Sequence, residues 1–99
     1  MAYDVTILPG ADMDIEEAIL WYESQQKGLG IKFYSFILDK LDDLKFNPQY
    51  YFNLEEGFRR ITTDPFPYNI IYKVTESDVI VFAVFHQSME IDVRLKERK

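Results

Sequence analysis

Apolar residues follow two different spacings in the two halves of this 99-residue chain. Up to about residue 47 they recur every three or four positions after a short alternating start, and from residue 58 they form β-branched and aromatic runs. The first spacing is typical of amphipathic helices and the second of strands. The pattern therefore predicts an α+β fold in which two helices precede most of the strands.

The chain begins with a predicted strand that leads directly into a helix. Val5 and Ile7 lie on one side of a short strand over Tyr3–Leu8, which Pro9-Gly10 ends. A helix is then expected over Asp12–Gln26, with acidic residues in its first turn. Its apolar stripe is formed by Ile15, Ala18, Ile19 and Tyr22.

A second helix is predicted after the break at Gly28-Leu29-Gly30, and it ends near Asn47-Pro48. Its predicted apolar stripe consists of Tyr34, Ile37, Leu38, Leu41 and Leu44. Because the connection between the two helices is so short, we expect them to pack as an antiparallel hairpin.

Three strands are predicted in the second half, over Phe58–Thr62, Tyr68–Val74 and Asp78–His86, and they imply an antiparallel meander. Residues 79–85 are all apolar, so the last strand should lie inside the sheet with both faces covered. The charged tail, residues 87–99, could form a last helix or an edge strand, and the alternation over Met89–Leu95 favours the strand. The prediction is one domain, residues 1–99, with the order β-α-α-β-β-β and a helical hairpin on a small, mostly antiparallel sheet.

Composition removes several classes of function. The chain has no cysteine and one histidine, which excludes disulfides and a thiolate zinc site. It has no phosphate-binding loop or metalloprotease motif, so no cofactor and no metal are expected. A net charge of −6 argues against general binding to nucleic acids. The first eight residues resemble neither a signal peptide nor a membrane span, so a cytoplasmic location is expected.

Several short strings of residues occur in a particular order along the chain. They are Asp14-Ile15-Glu16-Glu17-Ala18, Trp21-Tyr22-Glu23, Gly28-Leu29-Gly30, Asn47-Pro48, Phe58-Arg59-Arg60, Phe66-Pro67-Tyr68 and Val81-Phe82-Ala83-Val84-Phe85-His86. In this order they resemble the ParE/RelE superfamily of toxins from type II toxin–antitoxin systems, which includes proteins like plasmid stabilisation proteins. The resemblance implies a compact α+β fold, a cognate antitoxin that wraps the sheet, and toxicity directed at DNA gyrase or at translating ribosomes.

The chain departs from similar toxins just after the last strand. Those toxins usually follow the strand-ending histidine with Gly, Arg and a further Arg, whereas this chain has Gln87-Ser88-Met89-Glu90. Three functions therefore stay open. The first is a ParE-like toxin that acts by protein–protein interaction on gyrase, the second is a RelE-like ribosome-dependent mRNA endonuclease, and the third is a non-toxic interaction module that keeps the fold.

Five residues are predicted to bind a partner or target: Arg59, Arg60, Tyr68, Tyr72 and His86. RNA cleavage would need a base, a cation for phosphate and an acid, and His86 with Arg60 is the catalytic pair that the sequence offers. Adjacent strand residues face opposite sides, so only one of Arg59 and Arg60 can share a face with His86, and we expect Arg60. Tyr68 and Tyr72 share a face, and packing is their favoured use. Trp21 is also expected in the core.

Overall fold

The computed structural model describes residues 2–98, so Met1 and Lys99 of the predicted domain lie outside the described residues. It contains a five-stranded sheet with the order β1-β5-β4-β3-β2, in which β1 runs parallel to β5 and the other neighbours are antiparallel. The strands are β1 Asp4–Ile7, β2 Phe52–Asn53, β3 Phe58–Thr62, β4 Tyr68–Val74 and β5 Asp78–His86; the helices are α1 Pro9–Gln25, α2 Leu29–Leu44 and α3 Ile91–Arg98. The predicted α+β fold is confirmed, and the two-residue strand β2 is an addition to it.

Helix α1 begins at Pro9, three residues before the predicted start at Asp12. Proline is well suited to this first position, because its fixed φ matches the helix and its missing N–H would have no intrahelical acceptor there. Asp12 then lies in the first turn, as expected. Pro9 therefore ends the strand and starts the helix at the same point.

The turn between α1 and α2 is held by the carboxylate of Glu23, which accepts hydrogen bonds from the N–H groups of Gly28 and Gly30, each at 3.0 Å. Gly28 has a φ of +89°, a conformation that favours glycine. At Gly30, an added Cβ would lie 2.6 Å from the carbonyl oxygen of Ile19. Gly28 is thus favoured by the backbone conformation of the turn, and Gly30 by the close approach of the two helices.

Helix α2 buries a stripe that differs by one position from the predicted one. Its buried side chains include Phe33, Ile37, Leu41 and Leu44, whereas Tyr34 and Leu38 are 43% and 46% exposed. The prediction was wrong for Tyr34 and Leu38. Phe33 lies inside an aromatic cluster, with its ring centroid 5.1 Å from those of Tyr22 and Phe66, and this contact fixes the rotation of the helix.

The two faces of the sheet are covered by different helices. The α1–α2 hairpin packs on one face over Ile70, Tyr72, Val79 and Val81. On the other face, Leu95 of α3 packs on a smaller apolar cluster formed by Phe58, Ile71, Ala83 and Phe85. Strand β5 lies between β1 and β4 with both faces covered, which confirms that prediction.

The preference for a strand in the tail was wrong, and the alternative, a last helix, is the one that residues 91–98 form as α3. Ile91 and Leu95 are four residues apart, so they face the same way in a helix as well as in a strand. Ile91 packs against the smaller cluster and Leu95 is 5% exposed, whereas Val93 is half exposed. Covering this apolar face of the sheet favours the helix.

Candidate functional site: the open end of strand β5

Strand β5 has a free edge along its C-terminal half. Strand β1 pairs only with Asp78–Val81, so among the described residues no strand lies beside residues 82–86 on this side. Ile71 pairs with Ala83 and Tyr72 with Val81, which makes Phe82 an extra residue, a β-bulge. The free edge begins at this bulge.

The bulge decides which backbone groups point to the free edge. Gln87 donates its N–H to Pro67 on the β4 side at 2.7 Å, so the N–H of His86 points away from β4. Val84, two residues earlier, points the same way, and its N–H donates to Oδ2 of Asp14 at 2.9 Å. Asp14 therefore takes the place that a neighbouring strand would have at this position of the edge.

Two adjoining cavities lie along this edge. The first, of about 370 Å³, lies between α1 and α3 and contains both acidic and basic groups. Its lining includes Glu17, Trp21, His86, Arg94 and Glu97. The second, of about 390 Å³, is mostly apolar and is lined by Trp21, Tyr22, Pro67, Tyr68 and His86. Together they form what we call the β5 slot, a groove with an open strand edge and an aromatic end.

Tyr68 and His86 meet in the β5 slot. They are cross-strand partners in β4 and β5, and their ring centroids are 5.2 Å apart in an edge-to-face arrangement. Trp21 forms the opposite wall and is 57% exposed. Of the five residues predicted from the sequence, only Tyr68 and His86 are brought together here.

The hydrogen bonds of His86 fix its tautomer. Ser88 donates its backbone N–H to Nδ1 of His86 at 3.1 Å, and the Ser88 hydroxyl lies 2.8 Å from the same atom. Because Nδ1 accepts a hydrogen bond, the neutral ring carries its proton on Nε2. In this arrangement His86 presents a donor to the slot, whereas a general base would need to present an acceptor.

Tyr68 is also a donor in this site. Burial raises the pKa of its hydroxyl above 10.0, and the charges of Tyr22 and Asp14 raise it further. The slot thus combines donors, aromatic surface and open backbone groups, which suits the binding of an extended segment better than proton abstraction.

Arg59 and Tyr72 lie at the other end of the hairpin face and have structural roles. The Arg59 guanidinium donates through Nη1 to the carbonyl oxygens of Gln49 and Tyr51, each at 3.0 Å. The Tyr72 ring is fully buried, and its hydroxyl donates to the carbonyl oxygen of Pro48 at 2.6 Å. Both residues hold the segment after α2 against the sheet.

Arg60 lies on the opposite face of the sheet from His86. It belongs to the same side of β3 as Phe58, which packs under α3, and its guanidinium is 4.4 Å from the ring centroid of Phe52. The prediction that Arg60 and His86 share a site was wrong. Regular alternation along β5 would place His86 on the face of Arg60, but the bulge at Phe82 shifts His86 to the hairpin face.

Two residues of the slot, Trp21 and Asp14, were not among the residues predicted to bind a partner or target. Trp21 was expected in the core, but it sits beside the buried stripe of α1 and faces solvent. Its position next to Tyr22, which is buried, was the available signal, since neighbouring helical residues point about 100° apart. Asp14 was assigned to the start of the helix, and no local pattern reveals its contact with Val84, 70 residues away.

Two further classes of site are absent from the part of the chain that the structure describes. Residues 2–98 contain no group of three or more acidic or histidine side chains that could hold a metal ion. No helix within the same residues is long and apolar enough to cross a bilayer.

The family follows from comparison with known sequences and structures. The sequence profile described as "ParE toxin of type II toxin-antitoxin system, parDE" matches residues 5–91. A solved chain from the chromosomal ParDE toxin–antitoxin system of P. aeruginosa has a similar fold, with a TM-score of 0.77 over 86% of this chain and 96% of that one, at 15% identity. No curated protein sequence is significantly similar to this chain. Because the profile covers most of the chain, this protein belongs to the family of ParE toxins of type II toxin–antitoxin systems.

Proposed function

We propose that this protein is a toxin that acts by binding DNA gyrase, and that a cognate antitoxin inactivates it by laying an extended segment in the β5 slot. Family membership supports the toxin and its antitoxin. The proposed target places the action in the cytoplasm.

The observation that carries the antitoxin part is the free edge of β5. Beyond Val81 this edge has no neighbouring strand among residues 2–98, and an extended peptide can complete it by backbone hydrogen bonds. The aromatic end, with Trp21 exposed beside Tyr68 and His86, can take one apolar side chain of that peptide. The second face of the sheet is occupied by α3, so the slot is a better antitoxin site than the sheet face that the sequence suggested.

Binding without catalysis is favoured by the state of the candidate catalytic residues. Nδ1 of His86 is already engaged with Ser88, and Arg60 stacks on Phe52 on the other face. Arg60 and His86 therefore do not bring a cation and a base to one point, as RNA cleavage by this pair would require. An inhibitor that binds gyrase needs neither.

The first experiment compares growth after expression of the chain alone and together with the product of the adjacent open reading frame. Arrest that the neighbour relieves is the expected result. Purified protein should then inhibit supercoiling by gyrase in vitro, with equal strength in the His86→Ala and Arg60→Ala variants. Cleavage of mRNA in a translation reaction, lost in His86→Ala, would instead establish an endonuclease, and normal growth at verified soluble expression would establish a non-toxic module.

The slot is tested separately by measuring antitoxin affinity. Trp21→Ala should weaken the complex by at least about 2 kcal/mol, the size of an aromatic hot spot. Tyr50→Ala is the matched control, because Tyr50 is also an exposed aromatic residue, at 80%, but lies outside the slot. Equal affinities of the two variants would show that the antitoxin binds elsewhere.

A further inference from the structure

The backbone groups at the free edge of β5 determine the direction in which a bound chain can run. We propose that the antitoxin segment runs parallel to β5, and that one of its residues, here called X, bonds to both Val84 and His86. A basic residue precedes X and an apolar residue follows it. This inference rests on the proposed antitoxin site and specifies the kind of segment that the site accepts.

Two backbone groups among residues 2–98 stay available at this edge. In an antiparallel strand the N–H and the C=O of one residue point to the same side, so Val84 and His86 both direct theirs away from β4. Asp14 accepts the N–H of Val84 at 2.9 Å, and the C=O of His86 accepts the N–H of Met89 at 3.0 Å. The C=O of Val84 and the N–H of His86 are left for a partner.

A parallel neighbour can use both groups with a single residue. In a parallel pair, each bonded residue reaches the residues before and after its own pairing position on the other strand. Strand β1 follows this rule, because Asp4 pairs with Asp78 and donates its N–H to the carbonyl oxygen of Ser77 at 3.1 Å. A residue X placed opposite Phe85 would donate its N–H to the residue before Phe85 and accept from the residue after it.

An antiparallel segment fits the same edge less well. A residue that donates to the C=O of Val84 would then direct its own C=O back at the N–H of Val84. That N–H is bonded to Asp14, so the incoming carbonyl oxygen would meet a carboxylate instead of a donor, which is unfavourable. In the parallel arrangement, the carbonyl that faces Asp14 belongs to the residue two positions before X, which need not lie on the edge.

The parallel direction also places the side chains of the segment. Residues that pair across a sheet have their side chains on the same face, so the residue after X lies beside His86 and the residue before X lies beside Val84. The first of these positions is the aromatic end of the slot, between Trp21 and Tyr68, which suits an apolar side chain.

The charges of the first cavity favour a basic side chain before X. Glu17 lines this cavity one helical turn before Trp21. Four helical residues span about 6 Å, close to the roughly 7 Å between alternate residues of a strand, so Glu17 can contact the residue before X while Trp21 contacts the residue after it. Asp14 lies on the same side, and the cation on the α3 side, Arg94, is 3.6 Å from Glu97.

The direction is tested on the complex of the full-length protein with the product of the adjacent open reading frame, by contacts between backbone protons in isotope-edited NMR spectra. The Hα of Phe85 points to the free edge, because its N–H and C=O point to β4. We expect this Hα to contact an amide proton of the segment and no Hα of the segment.

The other outcomes of this measurement separate the inference from the proposed function. A strong contact between the Hα of Phe85 and an Hα of the segment would establish an antiparallel segment, which overturns the inference and keeps the slot as the antitoxin site. No contact with the segment at Phe85 or His86, together with unchanged affinity in Trp21→Ala, would overturn the antitoxin site and the inference with it.

The bond to His86 is tested with a matched pair of variants. His86→Pro removes the backbone N–H that points away from β4, whereas His86→Ala keeps it, and proline is tolerated at a strand edge. The proline variant should bind the antitoxin about tenfold more weakly than the alanine variant. Equal affinities would overturn the proposal. The proton contacts need no variant, so they decide the direction even if the proline variant does not fold.

The basic residue before X is tested by Glu17→Gln. This variant should weaken the complex roughly twofold to fivefold at low salt, as expected for an exposed ion pair. Glu16→Gln makes the same change at the neighbouring exposed position, outside the cavity, and should leave the affinity unaltered. Equal effects of the two variants would overturn the placement of a basic residue beside Glu17.

Discussion

Tyr68 and Tyr72 offer a direct comparison, because they lie on the same strand and the same face, four residues apart. Tyr72 is fully buried, and its hydroxyl is hydrogen-bonded to the backbone of Pro48. Tyr68 lies at the edge of the β5 slot, beside His86 and the exposed Trp21. One tyrosine therefore belongs to the scaffold and the other to the site.

The difference comes from what the rest of the chain lays over each ring. The segment after α2 covers Tyr72, and Arg59 fastens that segment through the carbonyl oxygens of Gln49 and Tyr51. Tyr68 packs against Tyr22 and Phe33, with ring centroids 6.1 and 5.2 Å away, and it stays partly exposed at the slot. Residue type and strand face are thus insufficient to tell a binding tyrosine from a structural one.

The largest expected difference between the Tyr72 end and the Tyr68 end of β4 is in the free energy of unfolding. Tyr72→Ala should lower the free energy of unfolding by about 3–5 kcal/mol, because it leaves a cavity and an unpaired buried carbonyl. Tyr68→Ala should cost roughly 1–2 kcal/mol, because its ring is partly exposed. Urea unfolding measures both values. Equal losses would mean that the two ends of β4 are equally part of the core.

The pH dependence of stability sharpens the same contrast. Burial raises the pKa of Tyr72 to about 12, so the folded state keeps this proton while the unfolded tyrosine loses it near pH 10. The stabilisation that comes from keeping Tyr72 protonated is fully present below pH 10 and is lost as the pH rises toward 12. The free energy of unfolding should fall by no more than about 1.4 kcal/mol per pH unit from this group. Tyr72→Phe should make the slope shallower by the part that Tyr72 contributes, as measured by unfolding at pH 9 to 11.5; Tyr68, whose pKa burial also raises, still contributes. A slope that the variant retains in full would assign it to other groups.

Substitution of Asp14 tests whether its hydrogen bond to Val84 alone holds the free edge of β5. Asp14→Ala leaves the N–H of Val84 without its acceptor and should cost about 1–3 kcal/mol. Hydrogen exchange at the Val84 amide should accelerate, while exchange at Val79, which β1 covers, should stay the same. Asp14→Asn keeps an acceptor oxygen and serves as the control. Unaltered exchange at Val84 in the alanine variant would show that the contact does not protect this edge.

Trp21 should give the smallest change in stability. Its ring is 57% exposed, so Trp21→Ala should alter the free energy of unfolding by only about 0.5 kcal/mol. Thermal unfolding is a sufficient measurement. A loss of several kcal/mol would place Trp21 with Tyr72 in the scaffold, as the sequence had suggested.

The strands β3 to β5 and the helical hairpin were predictable because their signals are local and repeated. The β-branched and aromatic runs and the glycines at 28 and 30 each specify one element without help from the rest of the chain. The stripe of α2 was less certain, since Phe33, Tyr34, Ile37 and Leu38 offer two overlapping apolar faces. Packing against Tyr22 and Phe66 decides between them.

The tail and the site depend on contacts between distant residues. Residues 91–95 satisfy both helix and strand spacing, and only the uncovered cluster under α3 selects the helix. Likewise, no spacing in the sequence reveals that Asp14 reaches Val84 or that Arg60 and His86 lie on opposite faces. The strings that carry the resemblance to known toxins include both Trp21 and His86, but only His86 was expected to bind a partner or target.

The bulged residue Phe82 determines the face of the sheet on which each later residue of β5 lies. Had the pairing run on without a bulge, Val84 and His86 would face α3, while Ala83 and Phe85 would lie under the helical hairpin. His86 would then leave the aromatic end of the slot, and Ala83 and Phe85 would leave the apolar cluster under α3. An insertion or deletion of one residue near position 82 would therefore be expected to disrupt both the β5 slot and the surface on which α3 packs.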